Sequence, residues 1–112
     1  QPAQARPRIT KKERKRLRGE LLNERSRALK PLEKRHAAVE NEIEALEKEL
    51  AALNREMLEA SQARDGIRIG ELGKTIHNVQ AEIDNRFETL ESVTRTIERQ
   101  QTDFQKRLDA LK

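Results

Sequence analysis

The sequence predicts an all-α fold: an antiparallel two-stranded coiled-coil hairpin with a basic N-terminal helix docked at its base. The first observation is a heptad pattern, in which apolar residues recur at alternating steps of three and four. The second is Asp65-Gly66, a turn dipeptide at which the pattern stops and starts again, and where we expect a left-handed residue. The third is composition. Of the 112 residues 39% are charged, 34% are hydrophobic and only two are Phe, which is typical of coiled coils rather than of a closed globular core.

The heptad pattern also predicts which residues form the seam between the two strands of the hairpin. Before the turn, the predicted seam residues are Leu32, His36, Val39, Ile43, Leu46, Leu50, Leu53, Met57 and Ala60. After the turn they are Ile69, Leu72, Ile76, Val79, Ile83, Phe87, Leu90, Thr94, Ile97, Gln101, Phe104, Leu108 and Leu111. The step from Ile83 to Phe87 follows another step of four, which is a stutter that locally unwinds a supercoil. We therefore expect the Phe87 ring to lie in the seam, and the two strands to pair residues whose numbers sum to about 131.

The elements follow in order along the chain. Residues 1–9 contain two prolines and predict a linker from something upstream, so the hairpin domain would cover residues 10–112. Thr10 is a plausible N-cap, and Glu13 would complete a capping box. Pro31 predicts a break or a kink, so we expect helices over about 10–29, 31–62 and 68–111. The last helix is longer than the second, so the leucines of the first helix should cover its end.

Charge is distributed unevenly. Residues 1–30 hold eleven bases and three acids, a net charge of +8, whereas residues 31–112 have a net charge of −4. The candidate nucleic-acid-binding residues are Arg6, Arg8, Lys11, Lys12, Arg14, Lys15, Arg16 and Arg18. Such a density of basic side chains attracts a polyanion through counterion release. The lack of aromatic residues on which nucleobases could stack argues against recognition of specific nucleobases. Two interpretations stay open: a nucleic-acid-binding segment, or a solvated basic linker beside a protein-interaction or dimerisation coiled coil.

Other functional classes find little support in the sequence. Gly73-Lys74-Thr75 resembles the end of a phosphate-binding loop, but Arg68 stands where that loop needs glycine. His36 and His77 are far apart, and there is no Cys, so we expect no metal site and no disulfide. We find no catalytic constellation and expect this chain not to be an enzyme. The lack of a long apolar run predicts no membrane span, and the lack of Cys predicts a cytoplasmic location. The start at Gln1 suggests a piece of a longer protein.

Several segments together resemble a known family. They are the basic helix, the run Glu-Arg-Ser-Arg-Ala-Leu-Lys-Pro-Leu over residues 24–32, Arg64-Asp65-Gly66, and Arg-Phe-Glu-Thr-Leu over residues 86–90. In this order they resemble the C-terminal domain of ABC-F ATP-binding cassette proteins, the Uup-like group, over about residues 10–111. Phe87 stands where that family often has Trp.

The resemblance implies a cytoplasmic parent protein with two ATPase domains upstream, acting on ribosomes or nucleic acid. ATP and Mg would bind those domains, and no cofactor would bind this chain. In Uup-like proteins this domain is associated with DNA binding. We therefore expect DNA or ribosomal RNA and the parent ATPase domains as partners, no membrane, and a monomer rather than a dimer.

Overall fold

The fold is an all-α helical hairpin of two long helices, seen in a computed structural model that describes residues 9–112. Helix α1 covers Lys11–Gln62 and helix α2 covers Gly66–Asp109. At 1.5 Å per residue, α1 is about 78 Å long. The helices run antiparallel, because Glu24 and Glu42 of α1 pair with Arg107 and Arg86 of α2, in reversed order. This confirms the predicted fold class.

The predicted seam of α1 is confirmed. All nine of its residues from Leu32 to Ala60 are buried or half-buried, and Val39 and Ala60 are only 2% and 1% exposed. His36 is half-buried at its seam position, and its Nδ1 lies 3.1 Å from a carboxylate oxygen of Glu40. The His36 side chain is 31% exposed, so a polar ring is accommodated at this seam position with part of its surface open to water.

The seam of α2 differs from the prediction after Ile83. From Ile83 a row of buried and half-buried residues continues at unbroken steps of three and four through Arg86, Leu90, Val93, Ile97, Gln100 and Phe104, and beside this row Thr89, Thr96 and the predicted seam residue Thr94 are half-buried. Phe87 is 47% exposed and Gln101 is also exposed, so the predicted stutter and the predicted burial of Phe87 are wrong. Arg86 can occupy the seam because its long stem is apolar while its Nε lies 2.8 Å from a carboxylate oxygen of Glu42.

Helix α1 runs without a break through Pro31, so the predicted division into helices 10–29 and 31–62 is wrong. Leu29 is buried and Leu32 is half-buried on either side of the proline, both on the side that faces α2. A proline inside a helix costs about 3 kcal/mol, and burial of each large aliphatic side chain returns about 1.5–3 kcal/mol. The predicted basic helix docked at the base is therefore the start of α1 and not a separate helix.

The turn lies at the predicted place with a different backbone. The left-handed residue is Arg64, with φ of 55°, and not Asp65 or Gly66. The amide of Asp65 donates to the carbonyl of Ala60, and the amide of Arg64 donates to that of Ser61. These two bonds form a Schellman motif that ends α1. The Asp65 carboxylate accepts from the amide of Arg68 at 3.2 Å and so caps α2, which begins at Gly66.

The start of α1 agrees with the predicted cap. The hydroxyl of Thr10 accepts a hydrogen bond from the amide of Glu13 at 3.1 Å, and the helix begins at the next residue, Lys11. The predicted linker lies outside the described residues except for Ile9, which is exposed and precedes the helix. No helix within residues 9–112 is long and apolar enough to cross a membrane.

Candidate nucleic-acid interface

The site lies at the base of the hairpin, where the last turns of α2 pack on α1 at about the level of Leu21 and Glu24, and where α1 continues beyond the end of α2. The two terminal guanidinium nitrogens of Arg107, Nη1 and Nη2, donate to the carboxylate of Glu24 at 3.3 and 3.1 Å. The same guanidinium lies over the Phe104 ring, 5.3 Å from its centroid, and the ring itself is buried. Leu21 is buried at this level of α1. The first part of α1 therefore covers the end of α2, as the sequence predicts.

Helix α1 extends beyond the end of α2. Because Arg107 lies beside Glu24, Asp109, the last helical residue of α2, comes level with about residue 22 of α1. The first two to three turns of α1 therefore have only the short C-terminal end of the chain as a neighbour. Every basic residue from Lys11 to Arg18 is exposed. The hairpin thus ends in a helical extension whose basic side chains are accessible from several sides.

Four of the predicted binding residues come together around one groove, which we call the basic cleft. It is lined by Lys11, Arg14, Lys15, Arg18, Leu108, Leu111 and Lys112, and it encloses about 430 Å³. The two leucines form an apolar floor and the five bases form its rim. No acidic residue lines it. The steps of three and four between the α1 bases place them on one side of the helix, which is why they meet here.

The remaining predicted residues lie elsewhere. Lys12 and Arg16 are exposed outside the basic cleft, and Arg16 Nη1 lies 2.9 Å from a carboxylate oxygen of Glu20. Arg6 and Arg8 lie outside the described residues. Sequence reasoning missed Lys112, although the expected antiparallel pairing brings the C-terminal end of the chain back to the basic segment.

The electrostatics of the cleft favour an anion. The ion pairs among residues 9–112 include none of the four α1 bases that line the cleft. Lys112 is different, because its Nζ lies 3.3 Å from a carboxylate oxygen of Asp109. The hydrogen bond that Gln105 donates to Asp109, together with Lys112, holds the pKa of that carboxyl below its ordinary value. Asp109 therefore stays ionised and balances Lys112, and the four α1 cations carry the net positive charge.

The described part of the chain offers no cluster of His, Asp and Glu that could hold a metal ion. The basic cleft offers five side-chain cations that can contact anionic groups. Comparison with protein-family models, with curated proteins and with solved structures finds no match for this chain. The likeness to ABC-F C-terminal domains accordingly stays a prediction from the quoted residues.

Proposed function

We propose that this chain is a nucleic-acid-binding helical hairpin that contacts phosphates without sequence preference through the base of α1. The observation that carries the proposal is the basic cleft, where Lys11, Arg14, Lys15 and Arg18 share one side of a helix with no acidic residue in the lining. Counterion release from the nucleic acid would drive binding. The lining holds no Asn, Gln, Asp or Glu side chain that could pair with the edge of adenine or cytosine, so we expect direct base readout to be weak.

The spacing of the bases suits a phosphate backbone. Lys11, Lys15 and Arg18 span seven residues, or about 10.5 Å of helix axis. This is roughly three times the 3.4 Å axial rise per phosphate on one strand of duplex DNA. One face of α1 can therefore contact several consecutive phosphates, while Lys12 and Arg16 on other faces attract the second strand or a neighbouring helix.

In a longer parent this hairpin would serve as the accessory C-terminal arm of a cytoplasmic ABC-F ATPase. The support for this step is the run over residues 24–32 together with the basic helix and the turn residues. ATP and Mg would then bind upstream domains, and the arm itself would be neither an enzyme nor a cofactor-binding domain. The target would be DNA or ribosomal RNA, which share the phosphate chemistry that the base can contact.

Fluorescence anisotropy with a labelled duplex across a salt series tests the proposal. If about five phosphates are neutralised, log K should fall with log salt at a slope of about −4 to −5. Replacing Lys11, Lys15 and Arg18 with Gln should reduce the steepness of that slope by about 2.7. Replacing the same three residues with Glu should nearly abolish binding, because attraction becomes repulsion while the leucines at the base are unchanged.

A matched control distinguishes the effect of charges at the base of the hairpin from the effect of the net charge of the chain. Lys34, Arg55 and Lys74 are exposed and lie away from the base, and their replacement with Glu changes the net charge by the same amount. This control variant should bind within about threefold of the parent. Two results would favour the protein-interaction interpretation. One is an equal loss of DNA affinity in the two triple-Glu variants, and the other is unimpaired DNA binding by the variant with Glu at residues 11, 15 and 18.

A further inference from the structure

One flank of the hairpin carries a row of grooves from the basic cleft to Thr94, and we call this side of the hairpin, which continues to Phe87, the grooved flank. Phe87, Gln101 and Leu108 are separated by multiples of seven, so they share this side of α2. Gln101 lines three neighbouring grooves here, and Leu108 lines the basic cleft at the lower end. Leu22, which is 42% exposed, lines one of these grooves. Two large apolar side chains are therefore left open on the same flank as the cleft.

Carboxylates surround Phe87. Asp84 and Glu91 lie three residues before and four residues after it on α2, the spacings at which helix side chains are neighbours. Glu40 and Glu47 follow Glu33 by seven and fourteen residues, and Glu33 lines two grooves of the same flank. These last two residues lie near the level of Phe87, because the adjacent Arg86 pairs with Glu42. All four carboxylates are exposed.

The two ends of the grooved flank are complementary in shape and charge. At the base, an apolar groove is rimmed by five bases; three heptads away, a projecting aromatic ring is surrounded by four acids. We propose that a second copy of this chain docks antiparallel on the grooved flank, so that Phe87 of each copy enters the basic cleft of the other.

The geometry allows both contacts at once. In an antiparallel pair related by a twofold axis, the distance from Phe87 to Leu108 is the same in both copies, so seating one ring also seats the other. The overlap is 21 residues of each helix, or about 32 Å, and a pair of helices is about 20 Å wide. Such an overlap buries about 1,300 Å² in total, near the lower end of specific protein interfaces, so a weak dimer is expected. The dimer would occupy the same basic cleft as the proposed nucleic-acid contact, so the two would compete for it, and association is measured without nucleic acid to test the dimer alone.

Sedimentation equilibrium of the full chain without nucleic acid measures this association. We expect a weak, concentration-dependent dimer, because the buried area is near the lower end of specific interfaces. Phe87→Ser should weaken the dimer at least tenfold while the helical content and thermal unfolding stay close to those of the parent. Ile67→Ser is the matched control, since Ile67 is 79% exposed near the turn and outside the overlap, and it should leave the dimer unchanged.

Charge reversal tests the partner directly. One double variant reverses charge in the basic cleft and carries Arg14→Glu and Lys15→Glu. The other reverses charge around Phe87 and carries Asp84→Lys and Glu91→Lys. Each variant alone should lose at least tenfold in self-association, because like charges meet at both contacts. An equimolar mixture should form a heterodimer within about threefold of the parental affinity, because both contacts become complementary again.

Three outcomes would overturn the proposal. A parent chain that stays monomeric up to about 1 mM would show that the chain does not self-associate with measurable affinity. An equal loss of dimer affinity in Ile67→Ser and Phe87→Ser would indicate that the contact between copies includes the turn. A mixture of the two charge variants that stays monomeric would show that the basic cleft and the acidic surround of Phe87 do not meet.

Discussion

Gln100 provides the sharpest test of the observed seam. Its side-chain oxygen is buried and accepts no hydrogen bond from any described residue. Leaving a buried acceptor unsatisfied costs about 1–3 kcal/mol, and leucine at the same place removes that cost and adds apolar burial. Gln100→Leu should therefore raise the free energy of unfolding by about 1–3 kcal/mol. For a domain of this size that corresponds to an increase in Tm of roughly 5–15 °C.

The adjacent Gln101 is the matched control, because it is exposed on the grooved flank. Gln101→Leu should change the free energy of unfolding by less than about 0.5 kcal/mol, as surface substitutions do. Urea unfolding followed by far-UV circular dichroism at low protein concentration measures both variants. If Gln101→Leu were the stabilising change and Gln100→Leu were not, the seam would run through Phe87, Thr94 and Gln101, and the unbroken heptad would be wrong.

Three further comparisons test the fold by thermal or urea unfolding. Pro31→Ala should stabilise the chain by up to about 3 kcal/mol, since α1 is continuous there; no change would indicate a helix break. Phe104→Ala should cost about 3–5 kcal/mol because the ring is buried, whereas Phe87→Ala should cost less than about 1 kcal/mol because its ring is exposed; equal costs would refute the register. Arg64→Gly should stabilise by about 1 kcal/mol because Arg64 is left-handed, and Gly66→Ala should not destabilise because Gly66 is helical; the reverse result would place the left-handed residue at Gly66.

The sequence predicted the seam of α1 from Leu32 to Ala60 because eight of the nine residues are apolar and all nine keep one period. The seam prediction was wrong on α2 at positions where the apolar residue is not the residue that lies in the seam. Phe87 is apolar but exposed, and Arg86 is charged but half-buried. Choosing between them requires the heptad register of the partner helix and the ion pair to Glu42, and both depend on contacts far apart in the chain.

The break expected at Pro31 illustrates a second limit. Local chemistry gives proline a fixed cost inside a helix, and the sequence shows nothing that must outweigh it. The structure shows what offsets that cost, because Leu29 and Leu32 are buried or half-buried against α2 on either side of the proline. The irregular spacing instead lies nearer the base, where Leu17, Leu21 and Arg25 are half-buried or buried at two successive steps of four.

Continuity through Pro31 has a consequence for the candidate interface. A separate basic helix could turn on a hinge, and its cations would have no fixed orientation relative to the hairpin. As the first turns of α1, the same residues are held in line with a helix about 78 Å long, so the basic cleft points in a direction set by the seam. The sequence could list the bases but could not predict which of them share the cleft, because that selection depends on where Leu108, Leu111 and Lys112 meet α1. Any target bound at the base would therefore be positioned relative to the whole length of the hairpin, which is the property that a lever or spacer arm requires.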